Sequence, residues 1–163
     1  TPALAARVVV TRSPEVAELA CKAGVKAILH SLPGRNDTVR LGLEALLSEL
    51  PGLAGCIFLP GDQPLLRKES LRAMARDFSA LDEKERAILR LGFRAEDGTE
   101  RLGSPVLFGS RYFGALCSLP EGKGGGVVIR RHPESVQAVY AARQEELEDA
   151  DTVEELERLR KLL

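Results

Sequence analysis

Tryptophan is absent from this 163-residue chain, and aromatic residues make up only 4% of it. That scarcity argues against stacking platforms for single-stranded nucleic acid. Charge of one sign is lacking too: 23 Lys and Arg stand against 24 Asp and Glu, a net charge of -1. No basic footprint is left for a phosphate backbone or an anionic lipid surface, so neither nucleic acid nor a membrane is an expected partner. The three cysteines, Cys21, Cys56 and Cys117, lie far apart without a CxxC spacing. With only His30 and His132 beside them they match neither a disulfide framework nor a familiar zinc site. No apolar run approaches the roughly 20 residues of a membrane helix, and no secretory apolar segment opens the chain. Hydrophobic residues at 44% and charged residues at 29% predict one folded α/β domain over residues 1–163, expected in the cytoplasm.

Ala6–Thr11 is a β-branched run that predicts a strand buried on both faces. Ser13-Pro14 then offers an N-cap and a first-turn proline, and Val16, Leu19, Ala20 and Ala23 share one helical face. Lys26–His30 predicts a second strand. From about Asp37 to Leu50 a helix carries the stripe Val39, Leu43, Leu46, Leu47 and Leu50. Gly55–Leu59 is the most apolar run and predicts a central strand stopped by Pro60-Gly61. Leu71, Met74, Ala75 and Phe78 mark the next helix. Arg86–Arg94 and Glu100–Phe108 read as strands around an Asp97-Gly98 hairpin turn. A short helix at Arg111–Ser118, a glycine-rich loop at Gly122–Gly126, a helical turn at Val127–Arg131, a strand at Val136–Tyr140 and a closing helix at Thr152–Leu163 follow. Strand and helix alternate, which predicts a Rossmann-like, doubly wound, mostly parallel sheet flanked by helices.

Two clusters stand out as candidates for chemistry. Leu59-Pro60-Gly61-Asp62-Gln63-Pro64-Leu65 puts a carboxylate just past the end of a buried strand, where ligands bind in open α/β sheets. Its oxygens suit Mg²⁺, a hard cation; an ordinary turn after a strand fits the same residues. Pro33-Gly34-Arg35-Asn36-Asp37-Thr38-Val39-Arg40 puts polar groups and two arginines at a helix start, where an anion or a base edge can dock. A plain helix cap by Asn36 or Asp37 fits equally. His30 and His132 are expected at the surface or an edge, and Cys56 as a small core residue.

The ordered set GRNDTVRLGL, GDQPLL, GSPVLF and DADTVEEL resembles the MobA-like nucleotidyltransferases, on the branch of the molybdenum cofactor cytidylyltransferases. The likeness runs from about Val8 to Leu159. It implies transfer of a nucleoside monophosphate, CMP from CTP or another nucleotide, to a phosphorylated acceptor such as molybdenum cofactor, with release of pyrophosphate. It implies that Asp62 binds Mg²⁺ and that Asp149 or Asp151 completes the metal site. It implies a catalytic role for Asp62 and Arg40, nucleotide contacts by Asn36, Asp37, Thr38, Gly61 and Gln63, and acceptor contacts by Ser104 and Lys123. Val153 replaces the family's proline in DxDTPED, and Ser104 stands where the family often has asparagine.

One departure is larger. The family opens with a strand and a glycine-rich LAAGxSxRMG loop that holds the triphosphate, and nothing in residues 1–14 matches it. Roughly 40 residues of the pattern, about one strand–helix unit, are expected upstream of Thr1. Without that loop, a binding or regulatory module free of catalysis is the rival expectation, beside a nucleotidyltransferase for another acceptor. Asp149-Ala150-Asp151-Thr152-Val153 also fits an aspartyl-phosphate nucleophile motif, which needs a buried strand before it. The preceding Gln144–Glu148 run is too acidic for that and reads as solvated. Lys123 is followed by Gly124 rather than Ser or Thr, so Gly122–Gly126 is no P-loop.

Overall fold

The structure, a computed structural model, describes residues 4–162. Strands β1 (Val8–Thr11) and β2 (Lys26–Leu29) pair in parallel, Val8 opposite Lys26. Helix α1 (Pro14–Lys22) connects them. Ser13 caps α1 by accepting the Val16 N–H at 3.3 Å, and Pro14 fills the first turn, where a missing N–H costs nothing.

Helix α2 (Arg35–Glu49) begins ahead of the expected Asp37. Gly34 takes the cap position, and the Asp37 carboxylate reaches back to accept the Gly34 N–H at 3.2 Å. Strand β3 (Gly55–Phe58) follows, then helix α3 (Lys68–Ser79), strands β4 (Ile88–Arg94) and β5 (Glu100–Gly109), and short helices α4 (Phe113–Cys117) and α5 (Gly126–Arg131). A single 3₁₀ turn at Ser110–Tyr112 leads into α4. Strand β6 (Val136–Tyr140) and helix α6 (Val153–Arg160) complete the order. The expected last residue of the closing helix, Leu163, lies outside the described residues.

β3, β5, β4 and β6 form one sheet in that order. β5 runs against both neighbours, against β4 because the tight Asp97-Gly98 turn joins the two, and β4 pairs with β6 in parallel. Alternate side chains of β4 and β5 point to opposite faces. Ile88 and Phe108 pack with Leu43 of α2, Leu116 of α4 and Val128 of α5. Leu89 and Leu107 pack with Met74 and Phe78 of α3 on the other side. Helices thus cover both faces of the sheet, the expected α/β class, but the sheet is mixed rather than mostly parallel, since β5 is antiparallel to both β3 and β4.

Among the described residues no strand hydrogen bond joins β1–β2 to the larger sheet. Helix α2 spans both instead. A Cβ on its Gly42 would sit 3.0 Å from a Val10 methyl of β1, so only glycine allows this approach without displacement. The next residue, Leu43, is 0% exposed in the cluster that contains Cys56 of β3. Among the described residues the edges of β1 and β3 opposite their single partners carry no strand, so β3 is an edge strand where the apolar run Gly55–Leu59 predicts a central one. Among the described residues, no helix is long and apolar enough to cross a membrane.

Leu43→Ala is therefore expected to cost about 2–5 kcal/mol in urea unfolding, whereas Leu19→Ala, on the exposed side of α1, changes stability by less than about 0.5 kcal/mol. Burial pushes the Cys56 thiol up to about 12. An unfolded thiol ionises near pH ~8.5, so the folded state loses ground as pH rises from there toward about 12, by at most roughly tenfold per pH unit in the folding equilibrium. Urea titrations at rising alkaline pH check the sign: the stability gap between wild type and Cys56→Ala narrows.

Candidate functional site

Sheet direction decides which loops meet. β3, β4 and β6 run one way and β5 the other, with Phe58 and Arg90 both opposite Val106, and Ala138 opposite Arg90. The residues after Phe58, the residues after Tyr140 and the first half of β5 therefore share one end of the sheet. Asp62, Ser104 and the segment carrying Asp149 and Asp151 all belong to that end. A direct bond joins two of these loops: the Ala150 N–H donates to the Asp62 carbonyl at 2.8 Å.

Asp62, Asp149 and Asp151 are exposed, as is Gly61, where a Cβ would meet nothing within 4 Å. Among the described residues no three His, Cys, Asp or Glu side chains form a ready cation cage. What the loops present is a set of hard carboxylate oxygens on two adjacent segments, which suits a divalent cation shared with phosphate oxygens and water. Gln63 differs from its neighbours. It is only 9% exposed, and its buried Oε1 has no hydrogen-bond partner. An orphaned acceptor beside Asp62 is a place for a donor that the protein itself does not supply.

Asp151 is set by the start of α6. Thr152 caps that helix by accepting the Glu155 N–H at 3.2 Å, and Glu155 Oε2 accepts the Asp151 and Thr152 N–H groups at 2.9 and 3.0 Å. This reciprocal arrangement fixes the direction in which the chain enters the helix.

The helix-start residues form a second group. Asn36 Oδ1 accepts the Gly122 N–H at 2.8 Å, tying the glycine-rich loop to the start of α2. Gly122 has φ +70° and Gly124 lies against the Arg35 stem, so glycine is required at one position by backbone conformation and favoured at the other by space. Lys123 is carried between them, exposed. Arg40 is half-buried and holds Asp37 and Glu44, each at 3.3 Å. Thr38 Oγ1 lies 3.2 Å from His30 Nε2, so His30 supports α2 from the end of β2. The structure thus joins Asn36 to the Lys123 loop, and Asp62 to the Asp149–Asp151 loop. Asp37 and Thr38 are engaged in structural contacts.

Two residues escaped the sequence reading. Arg90 is half-buried, donates from Nε and Nη2 to the carbonyls of Gly103 (3.2 Å) and Leu102 (3.4 Å), and so pins the irregular stretch of β5 that leads to Ser104. Burial lowers its pKa from the ordinary arginine value. Glu146 is the second. The acidic run Gln144–Glu148 was expected to be solvated, yet Glu146 is 1% exposed in a 3₁₀ turn, with Leu147 buried beside it. No periodic signal marks a buried carboxylate whose partners lie far away in sequence.

The nucleotidyl transferase from Methanothermobacter thermautotroptrophicus superposes on the structure with a TM-score of 0.74 at 20% identity, covering 98% of this chain and 73% of that one. Rv0371c from Mycobacterium tuberculosis H37Rv gives a TM-score of 0.70 at 23% identity, with 97% and 77% coverage. A CMP:2-keto-3-deoxy-manno-octonic acid synthetase complexed with CTP gives 0.66 at 16% identity, with 98% and 80% coverage. No curated protein matches this sequence. The fold is that of the nucleotidyltransferases. A sequence profile of the MobA-like NTP transferase domain matches residues 1–138, and the chain belongs to that family.

If Asn36 holds the glycine-rich loop, Asn36→Ala removes a bond worth about 0.5–1.5 kcal/mol and speeds amide exchange at Gly122 about 2- to 10-fold by NMR. Asn36→Asp keeps an acceptor oxygen and restores slow exchange.

Proposed function

We propose that this chain carries out metal-assisted nucleotidyl transfer in the cytoplasm, moving CMP from CTP onto a phosphorylated small-molecule acceptor such as molybdenum cofactor and releasing pyrophosphate. The observation that carries this reading is the bond between Ala150 and Asp62, which sets the GDQP loop beside the Asp149–Asp151 loop at the ligand-binding end of the sheet. Rv0371c, of the same fold, has been solved as a manganese complex, and the keto-sugar acid synthetase was solved with CTP. Both support the choice of ligands.

A triphosphate and an attacking phosphate are both anionic, and their approach is opposed unless positive charge lies between them. Asp62 with Asp149 or Asp151 would hold Mg²⁺, which would supply that neutralisation. Arg40 lies between Asp37 and Glu44, a half-buried guanidinium held ready for phosphate or base. Asn36, Asp37, Thr38, Gly61 and Gln63 serve the nucleotide; the orphaned Gln63 Oε1 accepts a hydrogen bond from it. Ser104 and Lys123 receive the acceptor, with Arg90 fixing the strand that carries Ser104. Three phosphates call for more donors than Arg35, Arg40 and Lys123 gather.

Pyrophosphate release from CTP in the presence of the acceptor tests the assignment. Asp62→Asn keeps size and removes charge, and is expected to lower the rate at least about 10²-fold, the scale of one positioned electrostatic group. Near-normal turnover by a folded Asp62→Asn protein overturns the reading.

A further inference from the structure

The two acidic loops are held at a second point that the catalytic reading does not use. Glu146 Oε2 accepts the main-chain N–H of Arg67 at 3.2 Å and the Ser70 hydroxyl at 2.5 Å. Arg67 caps α3 and Ser70 lies in its first turn, so one remote carboxylate oxygen is tied to the start of that helix through the cap N–H and a hydroxyl. A buried carboxylate is costly unless donors meet it, and a helix N-terminus favours its charge. The contact spans 79 residues of sequence to Arg67 and 76 to Ser70, and joins the segment just after Asp62 to the segment just before Asp149.

Together with the Ala150–Asp62 bond this closes a small ring. One side is residues 62–67, the other residues 146–150, and hydrogen bonds clasp both ends. Each side carries or adjoins a proposed metal ligand, Asp62 on one and Asp149 and Asp151 on the other. Leu147, next to Glu146, packs at 3.4 Å from where a Cβ of Gly103 would lie, which anchors that side against β5. Resting on the metal assignment above, we propose that Glu146 is a positioning residue that sets the spacing between Asp62 and the Asp149–Asp151 pair, so that one divalent ion is bound by both loops. Outer groups that orient metal ligands commonly change metal affinity about 10- to 100-fold when removed. The acidity of the 144–148 run is thereby divided: Glu145 and Glu148 face Arg143 and Arg101 at the surface, while Glu146 faces inward.

Mn²⁺ alone, titrated into the full chain and followed by paramagnetic broadening of amide signals, tests this without any turnover. In wild type the amides near Asp62 and those at 149–151 broaden with one common midpoint. Both donors converge on a single oxygen of Glu146, so Glu146→Gln keeps the contact and is expected to behave as wild type. Glu146→Leu is expected to raise the midpoint about tenfold or more and to uncouple the loops, one broadening without the other. If Glu146→Leu does not fold, Ser70→Ala takes its place, with a severalfold rise in midpoint expected. Common broadening at the wild-type midpoint in folded Glu146→Leu, or in Ser70→Ala where the former is unfolded, overturns the positioning role while leaving the metal assignment standing. Broadening at neither loop in wild type overturns the metal assignment itself, and this inference with it.

Discussion

The placement of Asn36 and Arg40 depends on the packing of α2 across two sheets that, among the described residues, share no strand hydrogen bond. Gly42 lets the helix settle on Val10, and Leu43, its neighbour, buries in the core beneath the larger sheet. The start of the same helix bears Asn36 and Arg40. Apolar burial in the middle of α2 and the polar groups at its tip are thus one mechanical piece, and loosening the first displaces the second. A helix joined to the core over several turns is a better mount for a binding group than a free loop.

On the other side of the site the constraint is directional. Because β5 runs against both neighbours, β3 and β6 finish at the same end of the sheet although they lie on its opposite edges and are far apart in sequence. The sheet sets both loops at one end, and hydrogen bonds bring them into contact. One of those bonds is entirely main chain, and the other ends on a buried carboxylate. Surface ion pairs such as Lys22–Glu18 or Arg76–Asp77 are numerous and exposed, and contribute little to this placement.

The elements were legible where local chemistry acts alone. Ser13-Pro14 opened α1, Asp97-Gly98 turned the β4–β5 hairpin, and the stripe ending at Leu50 marked α2. Asp62 could be picked out because Pro60 and Pro64 bracket a turn after an apolar run. The start of α2 was placed late, since it depends on Asp37 reaching back to Gly34 rather than on Asn36 or Asp37 capping directly. Arg90 and Glu146 were not legible. Each is a charged side chain turned inward by partners elsewhere in the chain, and neither composition nor periodicity carries that information. The pairing of Asn36 with the glycine-rich loop is of the same kind.

The Ala150–Asp62 bond has a further consequence for how such a site can change. It links an amide to a carbonyl and asks nothing of either side chain. Position 150 can drift through nearly the whole amino-acid alphabet while the clasp persists, with proline alone barred because it lacks the N–H. Asp62 can likewise be exchanged, and its carboxylate lost, with the joint still intact. Joint and side chain at this point of the molecule are written in different atoms of the same residues, and each is free to vary without the other.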